Sequence, residues 1–141
     1  MGYSKMLMPK LMTKEELVMF DIQNFHNKKY ISLETYRKNG ISIRTPVWFV
    51  ILDDIIHVVT REKTGKIKRL KNNKSVKLSL CTFNGKSTGE WVSGTITFVT
   101  DEKFDKALTL RRQKYGFMDR VARFVSRRKG KLVVFSINIK N

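Results

Sequence analysis

The chain has 141 residues, of which 41% are hydrophobic, so it can bury one core of ordinary size and is too short for two independent ones. Its formal net charge of +17 attracts anions, and this predicts a polyanionic partner: nucleic acid, an acidic membrane surface or a phosphorylated cofactor. The longest apolar run, residues 46–52, is about a third of the length that a membrane-spanning helix needs, so we expect no membrane insertion and, without an export signal, a cytoplasmic protein.

The first elements are a helix and a strand that ends in a tight turn. Thr13 followed three residues later by Glu16 forms a capping box, which predicts a helix over residues 14–26. From Tyr30 the apolar period changes to two, which is typical of a strand. The pair Asn39-Gly40 then supplies residues that tolerate the positive φ of a hairpin turn.

The next segment predicts two further strands and a short helix. Residues 41–52 are β-branched and aromatic, which favours a second strand that is central and buried. Asp53-Asp54 turns the chain into a third strand over residues 55–60, which completes a three-stranded meander. A polar connection leads into a helix over residues 65–73, and its terminal asparagines suit a helix end.

The remaining third alternates between strands and helices. Residues 76–83 and 91–100 predict two strands, and Asp101 is placed to cap a helix that runs to Tyr115. Gly116 breaks this helix, and apolar residues spaced by three and four predict a second one. A final strand over residues 132–139 closes the chain.

Six strands with helices between and beside them predict a mainly β fold, an antiparallel sheet curled into a barrel so that its edges are removed. We expect one domain over residues 1–141. It divides into an N-terminal segment and helix (1–28), barrel strands with the short helix (29–100), a helical pair (101–129) and the final strand (131–140).

Several kinds of site are not predicted. The chain has no Gly-x-Gly-x-x-Gly turn and no Walker phosphate loop. One cysteine and two separated histidines, His26 and His57, do not supply a zinc site, so both histidines are predicted to be structural or exposed. Cys81 has apolar neighbours and is predicted to be a buried structural thiol.

The residues best suited to bind an anion lie in and after the predicted meander. If the start of strand two lies beside the end of strand three, Arg44, Thr45 and Thr60 converge. The helix that starts near Gly65 brings its free amides and the Lys66 ammonium to the same place, where a phosphate would find charged donors. The alternative interpretation is an ordinary solvated basic surface.

Several separated motifs in the right order resemble the split-barrel flavoproteins similar to pyridoxamine 5'-phosphate oxidase, and more narrowly their deazaflavin (coenzyme F-420)-dependent branch. The likeness covers residues 29–115. The motifs that carry it are Thr35-Tyr36-Arg37-Lys38-Asn39-Gly40, Thr45-Pro46-Val47-Trp48-Phe49-Val50, Thr60, Lys66-Ile67-Lys68-Arg69-Leu70 and Lys114-Tyr115-Gly116. The resemblance implies a six-stranded, Greek-key-like split barrel, a homodimer, and FMN or F-420 held between the subunits for hydride transfer to or from a small substrate.

The resemblance also implies roles for individual residues. Arg44, Thr45, Pro46 and Val47 would line the ring and ribityl chain, while Thr60 and Lys66 would hold the phosphate. Thr64 stands where the family often has a phosphate-binding serine. Gly65 replaces a common arginine, and Lys68 and Arg69 are the candidates to compensate or to bind the acidic tail of F-420. The oxidase's own substrate-binding residues have no match near the carboxyl end.

Two alternatives to the redox interpretation stay open. Arg120, Arg123 and Arg127 share a face of the second C-terminal helix, opposite Phe117, Val121 and Phe124, and a basic tract follows at residues 127–131. Such a helix suits nucleic-acid phosphates or an anionic membrane, or is a solvated face over a core stripe. The second hypothesis is therefore a nucleic-acid-binding barrel, and the third is a non-catalytic cofactor carrier. Trp48 and Trp91 are predicted to pack in the core or the dimer interface.

Overall fold

Seven antiparallel strands and three helices make up most of residues 20–140, the part of the chain that the computed structural model describes. The strands are β1 (Tyr30–Tyr36), β2 (Ser42–Trp48), β3 (Val50–Leu52), β4 (Ile55–Arg61), β5 (Ser75–Leu80), β6 (Val92–Val99) and β7 (Leu132–Ile139). The helices are α1 (Gly65–Asn72), α2 (Glu102–Tyr115) and α3 (Phe117–Ser126), with single 3-10 turns at Ile22–Phe25 and Arg127–Lys129.

The two hairpins predicted around the second strand are confirmed. β1 pairs with β2 across the turn at residues 39–40, where Gly40 has a φ of 87°. β3 pairs with β4 across Asp53 and Asp54, whose φ values of 54° and 60° are those of a tight turn with two left-handed residues. Local turn chemistry therefore sets the register of both pairs.

The predicted strand over residues 41–52 is two strands, because the chain leaves the ladder at Phe49. β2 and β3 are the two outermost strands in the sheet order β2-β1-β5-β6-β7-β4-β3, so the prediction of a central strand is wrong, and seven strands form where six were expected. Since the two edge strands are consecutive pieces of one segment, the sheet curls until its edges meet. The mainly β, antiparallel barrel is confirmed.

The core lies inside the curled sheet. Ile31, Leu33 and Leu78 are fully buried at 0% exposure, and α1 contributes Ile67 and Leu70 to the same cluster. Each such side chain stabilises the fold by roughly 1.5–3 kcal/mol through the apolar area it removes from water. A second cluster on the outer side of the sheet joins α2 to β3 and β7 through Val50, Ala107 and Val134. This second cluster fixes α2 beside the break at Phe49.

The helix ends follow the sequence closely in the C-terminal half. Asp101 caps α2 by accepting a hydrogen bond from the Lys103 N–H at 2.9 Å, and Gly116, with a φ of 58°, separates α2 from α3 as predicted. None of the helices within residues 20–140 is long and apolar enough to cross a membrane.

The N-terminal helix is not seen where the prediction can be checked. The capping box at Thr13 and Glu16, and most of the helix predicted over residues 14–26, lie outside the described residues. Residues 22–25 form a 3-10 turn, because the Asp21 carboxylate accepts from the Gln23 N–H and starts a new turn there. The prediction of an α-helix through His26 is therefore wrong at its C-terminal end.

Candidate functional site

A cleft opens between β2 and β4, beyond the point where the pairing of β3 with β4 ends. The last paired residues are Val50 and His57, and beyond them β2 and β4 diverge. The gap has a volume of about 250 Å³ and is lined mainly by apolar residues: Pro46, Val47, Trp48, Val58, Val59, Thr60, Arg111 and Ala122. We call it the apolar end of the β2/β4 cleft.

Helix α2 causes this divergence by taking over the hydrogen bonds of Phe49. The Tyr115 hydroxyl accepts from the Phe49 N–H at 3.1 Å, and the Lys114 ammonium donates to the Phe49 carbonyl at 2.9 Å. The Tyr115 ring stacks on Trp48 with centroids 4.2 Å apart, which confirms that Trp48 packs within the chain. Burial lowers the pKa of Lys114 to about 8 and raises that of Tyr115 to about 12.

The cleft continues toward the start of α1 and changes character there. A second space of about 250 Å³ shares Val59, Thr60, Arg111 and Ala122 with the first, so the two are one continuous groove. Its further lining adds two cations, Arg61 and Lys129, two hydroxyls, Thr64 and Ser126, and two apolar residues, Val125 and Leu132. We call this part the basic end of the β2/β4 cleft.

Two residues of the basic end, Arg61 and Thr64, form hydrogen bonds within the chain that stabilise the fold. The Arg61 guanidinium donates to Ser126 Oγ and to the carbonyls of Gly130 and Arg123, each at 3.0 Å, and so ties the end of α3 to β4. The Thr64 hydroxyl donates to the Arg61 carbonyl at 2.9 Å and accepts from the Ile67 N–H at 3.4 Å as the N-cap of α1.

Lys66 and Lys129 bring positive charge close together near the basic end. Lys129 lines the cleft, and Lys66 is half-buried in the first turn of α1. Burial first, and then the charges of Arg69 and Lys129, lower the pKa of Lys66. Like charges held close together in this way favour a bound anion.

Of the residues predicted to bind the cofactor, Thr60, Pro46 and Val47 line the cleft. Thr45 is half-buried on β2, and Arg44 is directed elsewhere. Arg44 Nε donates to Glu34 Oε1 at 2.8 Å, and its guanidinium lies 4.2 Å from the Trp91 ring centroid. Burial raises the pKa of the Glu34 carboxyl, but hydrogen bonds from Tyr36 and Arg44 outweigh this and hold it below its ordinary value. The predicted convergence of Arg44 with Thr60 is absent, because β2 pairs with β1 and not with β4.

The residues predicted to compensate for Gly65 do not border the cleft. Arg69 folds back over Gly65, where its Nη1 lies 2.9 Å from the position of a Cβ, and its Nε donates to Thr35 Oγ1 at 2.7 Å. A larger residue at position 65 would displace this guanidinium. Lys68 is exposed on the outer side of α1.

Sequence reasoning missed Arg111, which borders both ends of the cleft. Its side chain is 12% exposed, and its Nε lies 3.2 Å from Oδ1 of the buried Asp119. A signal was present: Arg111 stands three residues after Leu108 and four before Tyr115, on the face by which a predicted helix packs against the core.

A comparison with protein-family models adds the decisive observation. The model described as pyridoxamine 5'-phosphate oxidase matches residues 21–141. The chain belongs to the pyridoxamine 5'-phosphate oxidase family. The match covers every element described above, so the split-barrel expectation is confirmed at the level of this family. No curated protein matches the chain.

Solved structures with this fold include proteins of several kinds. HutZ, a heme storage protein from Vibrio cholerae, superposes with a TM-score of 0.66 at 12% identity, covering 85% of this chain and 88% of its own. A conserved hypothetical protein from Mycobacterium tuberculosis gives a TM-score of 0.65 at 20% identity, with coverages of 92% and 82%. An F-420 reductase gives 0.60 at 17% identity, with coverages of 88% and 97%.

At identities of 12–20%, these structures show that the fold is shared, but they do not show which ligand this chain binds. The pyridoxamine 5'-phosphate oxidase fold carries a protein named for heme storage as well as one named for F-420 reduction. The side chains of this chain's own cleft therefore decide which ligand fits.

Proposed function

We propose that this member of the family binds a phosphate-bearing flavin or deazaflavin, FMN or coenzyme F-420, in the β2/β4 cleft and acts as an oxidoreductase on a small molecule. The observation that carries the proposal is the two-part lining of one groove. Its apolar end suits a flat ring, and its basic end suits a phosphate. When bound, such a cofactor supplies hydride transfer, and the protein binds and orients it.

The basic end fits a phosphate group by its donor set. Thr60 and Ser126 contribute hydroxyls, and Arg111 and Lys129 contribute cations, all of them lining one space. Charge-assisted hydrogen bonds from several directions are the usual way in which proteins hold a dianion. Thr60, named from the sequence as a phosphate-binding residue, lines this region, and the charge of its Lys129 lowers the pKa of Lys66, the other residue so named.

The apolar end fits a flat ring by its shape and chemistry. Val58 and Val59 form one wall, and Pro46 and Trp48 form the other. Trp48 cannot swing freely, because Tyr115 stacks on its face with an interplanar angle of 7°. A rigid apolar slot lowers the ordering cost of binding and excludes water from the ring.

An exposed apolar face on α3 supports the proposal that the cofactor lies between two copies of the chain. Phe117, Phe124 and Val125 are 71%, 64% and 73% exposed, so the stripe expected to cover the core faces outward. Val125 also lines the basic end of the cleft, which makes the stripe continuous with the site. A second copy that covered the stripe would bury it and close the groove.

Heme, the ligand in the name of one structural neighbour, fits this cleft less well than a flavin or deazaflavin does. Among residues 20–140, none of those that line it carries a side chain that commonly ligates heme iron. His57 is buried elsewhere, with Nδ1 2.9 Å from the Ile55 carbonyl, and the exposed His26 borders a different cavity. The cleft thus favours an organic ring with a phosphate.

The first experiment measures binding directly. The protein is titrated with FMN and with F-420, and flavin or deazaflavin fluorescence gives the dissociation constants. Lys66→Ala should weaken binding by about 1.5–3 kcal/mol, the value of a charged hydrogen bond. The matched control is Lys71→Ala, which removes the same charge from an exposed position of α1.

The result also separates the alternatives. If neither cofactor binds at micromolar concentration while RNA or DNA binds with a steep salt dependence, the basic α3 surface with exposed Phe124 under Arg127 is a nucleic-acid site, and the redox proposal fails. Cofactor binding without turnover over a panel of reductants and acceptors would identify a carrier.

A further inference from the structure

We infer that Arg111 is the central anion-binding residue of the cleft and that the buried Asp119 is its positioning residue. This inference rests on the proposed function, since it names the guanidinium that meets the anionic part of the cofactor. Arg111 lies on α2 and Asp119 on α3, so the corner between the two helices builds the site.

The position of Arg111 in the groove is the first argument. Of the cationic residues in the described part of the chain, Arg111 is the one that lines both the apolar and the basic end of the cleft. Its guanidinium carbon lies 5.1 Å from the centroid of the Trp48 ring, on which Tyr115 stacks. Arg111 is thus at the junction where a ring and a phosphate chain would meet.

The second argument is that one N–H of this guanidinium, at Nε, has no hydrogen-bond partner among the described residues. This nitrogen is buried, although Asp119 Oδ1 is 3.2 Å away. Burial lowers the pKa of Arg111, and the Asp119 carboxylate only partly offsets that effect. A desolvated cation with incomplete hydrogen bonding gains more from a bound anion than a solvated one does.

The charge balance around Asp119 points the same way. Asp119 is 1% exposed and faces two guanidinium groups, with Arg123 Nε at 2.9 Å on Oδ2 and Arg111 on Oδ1. Arg61 adds a third guanidinium, since it donates to the Arg123 carbonyl at 3.0 Å. One carboxylate against three guanidinium groups leaves a surplus of positive charge at the edge of the groove, which an anion would neutralise.

Asp119 acts through Arg111 and does not line the cleft itself. It is the second residue after Phe117 in α3, and its carboxylate points back across Gly116 to α2. An amide at this position keeps the size of the side chain but cannot form the ion pair. Asp119→Asn therefore releases Arg111 without removing it.

The test uses the full-length protein, fluorescence titration with FMN, and titration with riboflavin, which has the same ring without the phosphate. Arg111→Gln should weaken FMN binding roughly tenfold or more through the loss of charged hydrogen bonds, and should change riboflavin binding much less. The matched control is Arg112→Gln at the next position of α2, where the arginine is exposed and donates a hydrogen bond to Thr109 Oγ1 at 3.1 Å. This control removes the same net charge and should leave FMN binding within about threefold of wild type.

Asp119→Asn gives a result whose sign decides between positioning and simple electrostatics. Removing a negative charge from the site would strengthen FMN binding if only net charge mattered, whereas a released Arg111 predicts weaker binding. Arg111→Lys keeps the charge but replaces the forked guanidinium by a single ammonium, so it should also bind FMN more weakly. It tests the inference if Asp119→Asn does not fold.

The outcomes keep this inference apart from the proposed function. If wild-type protein binds neither FMN nor F-420, the proposed function fails. If wild-type protein binds FMN and Arg111→Gln binds it as tightly as Arg112→Gln does, Arg111 is not the anion anchor. If Asp119→Asn strengthens FMN binding, the positioning role of Asp119 is wrong.

Discussion

At the scale of single residues, Phe49 decides where the cleft opens. Its N–H and carbonyl bond to Tyr115 and Lys114 and not to a neighbouring strand. The Lys114 ammonium also lies 3.7 Å from the Phe49 ring centroid, so one lysine braces both the backbone and the side chain. Two adjacent residues at the end of α2 thus replace sheet hydrogen bonds that would close the groove.

The titration of Lys114 gives a prediction at this scale. The unfolded chain holds the lysine proton up to the ordinary pKa of 10.5, and the folded chain only up to about 8, because burial disfavours the charge. Below pH 8 both states are protonated and the cost of burial is fully present. Between pH 8 and 10.5 the unfolded state binds more protons, so the free energy of unfolding should rise with pH.

The measurement is urea unfolding of wild type and Lys114→Met at pH 7.5, 8.5 and 9.5, below the titration of Tyr115 at about 12. The variant should lose the rise that wild type shows. Lys106→Met, on the exposed side of the same helix, should keep the wild-type slope. An equal slope in wild type and Lys114→Met contradicts the prediction.

At the scale of elements, caps and turns account for most boundaries. Asp101 and Gly116 delimit α2, and Thr64 starts α1, each through contacts within a few residues of the chain. Because these signals are local, the sequence predicts them well. The strands at residues 92–99 and 132–139 were also predicted within a residue or two, since both have apolar, β-branched runs between turn residues.

The two N-caps make a paired prediction. Asp101→Ala and Thr64→Ala should each lower the free energy of unfolding by about 1 kcal/mol, the usual cost of losing a cap. Only Thr64→Ala should also weaken FMN binding, because Thr64 borders the basic end of the cleft. Urea unfolding and fluorescence titration measure the two effects. Equal losses of FMN affinity in both variants would show that Thr64 acts only as a cap.

At the scale of the whole molecule, charge and exposed apolar surface lie together on α3. The chain carries a net charge of +17, and Arg127 lies over the exposed Phe124 ring at 4.0 Å. A +17 chain repels copies of itself at long range, so a dimer would require buried apolar area and bound anions to offset the repulsion. The proposed phosphate-bearing ligand between two copies would provide such anions.

Phe124→Glu tests the proposed dimer. A carboxylate in the middle of the apolar stripe would lose its hydration in the interface, so the variant should sediment as a monomer at concentrations where wild type is a dimer. Phe83→Glu, which changes a 73% exposed phenylalanine in the loop between β5 and β6, is the matched control and should stay dimeric. If the wild-type protein with FMN bound is monomeric at a protein concentration of tens of micromolar, the dimer proposal is contradicted.

The sequence by itself determined the family, through separated motifs in the right order. It also determined the hairpins at residues 39–40 and 53–54 and the helix boundaries after Asp101, because these depend on neighbouring residues, and the basic character of the chain, because that depends on composition. Only the tertiary structure decided the break at Phe49, the turning of Arg44 toward Glu34 and the burial of Arg111 beside Asp119. The Phe49–Tyr115 bond joins residues 66 positions apart, and no local pattern encodes such a contact. Physically, the groove exists because a distant helix competes with the sheet for one residue's hydrogen bonds.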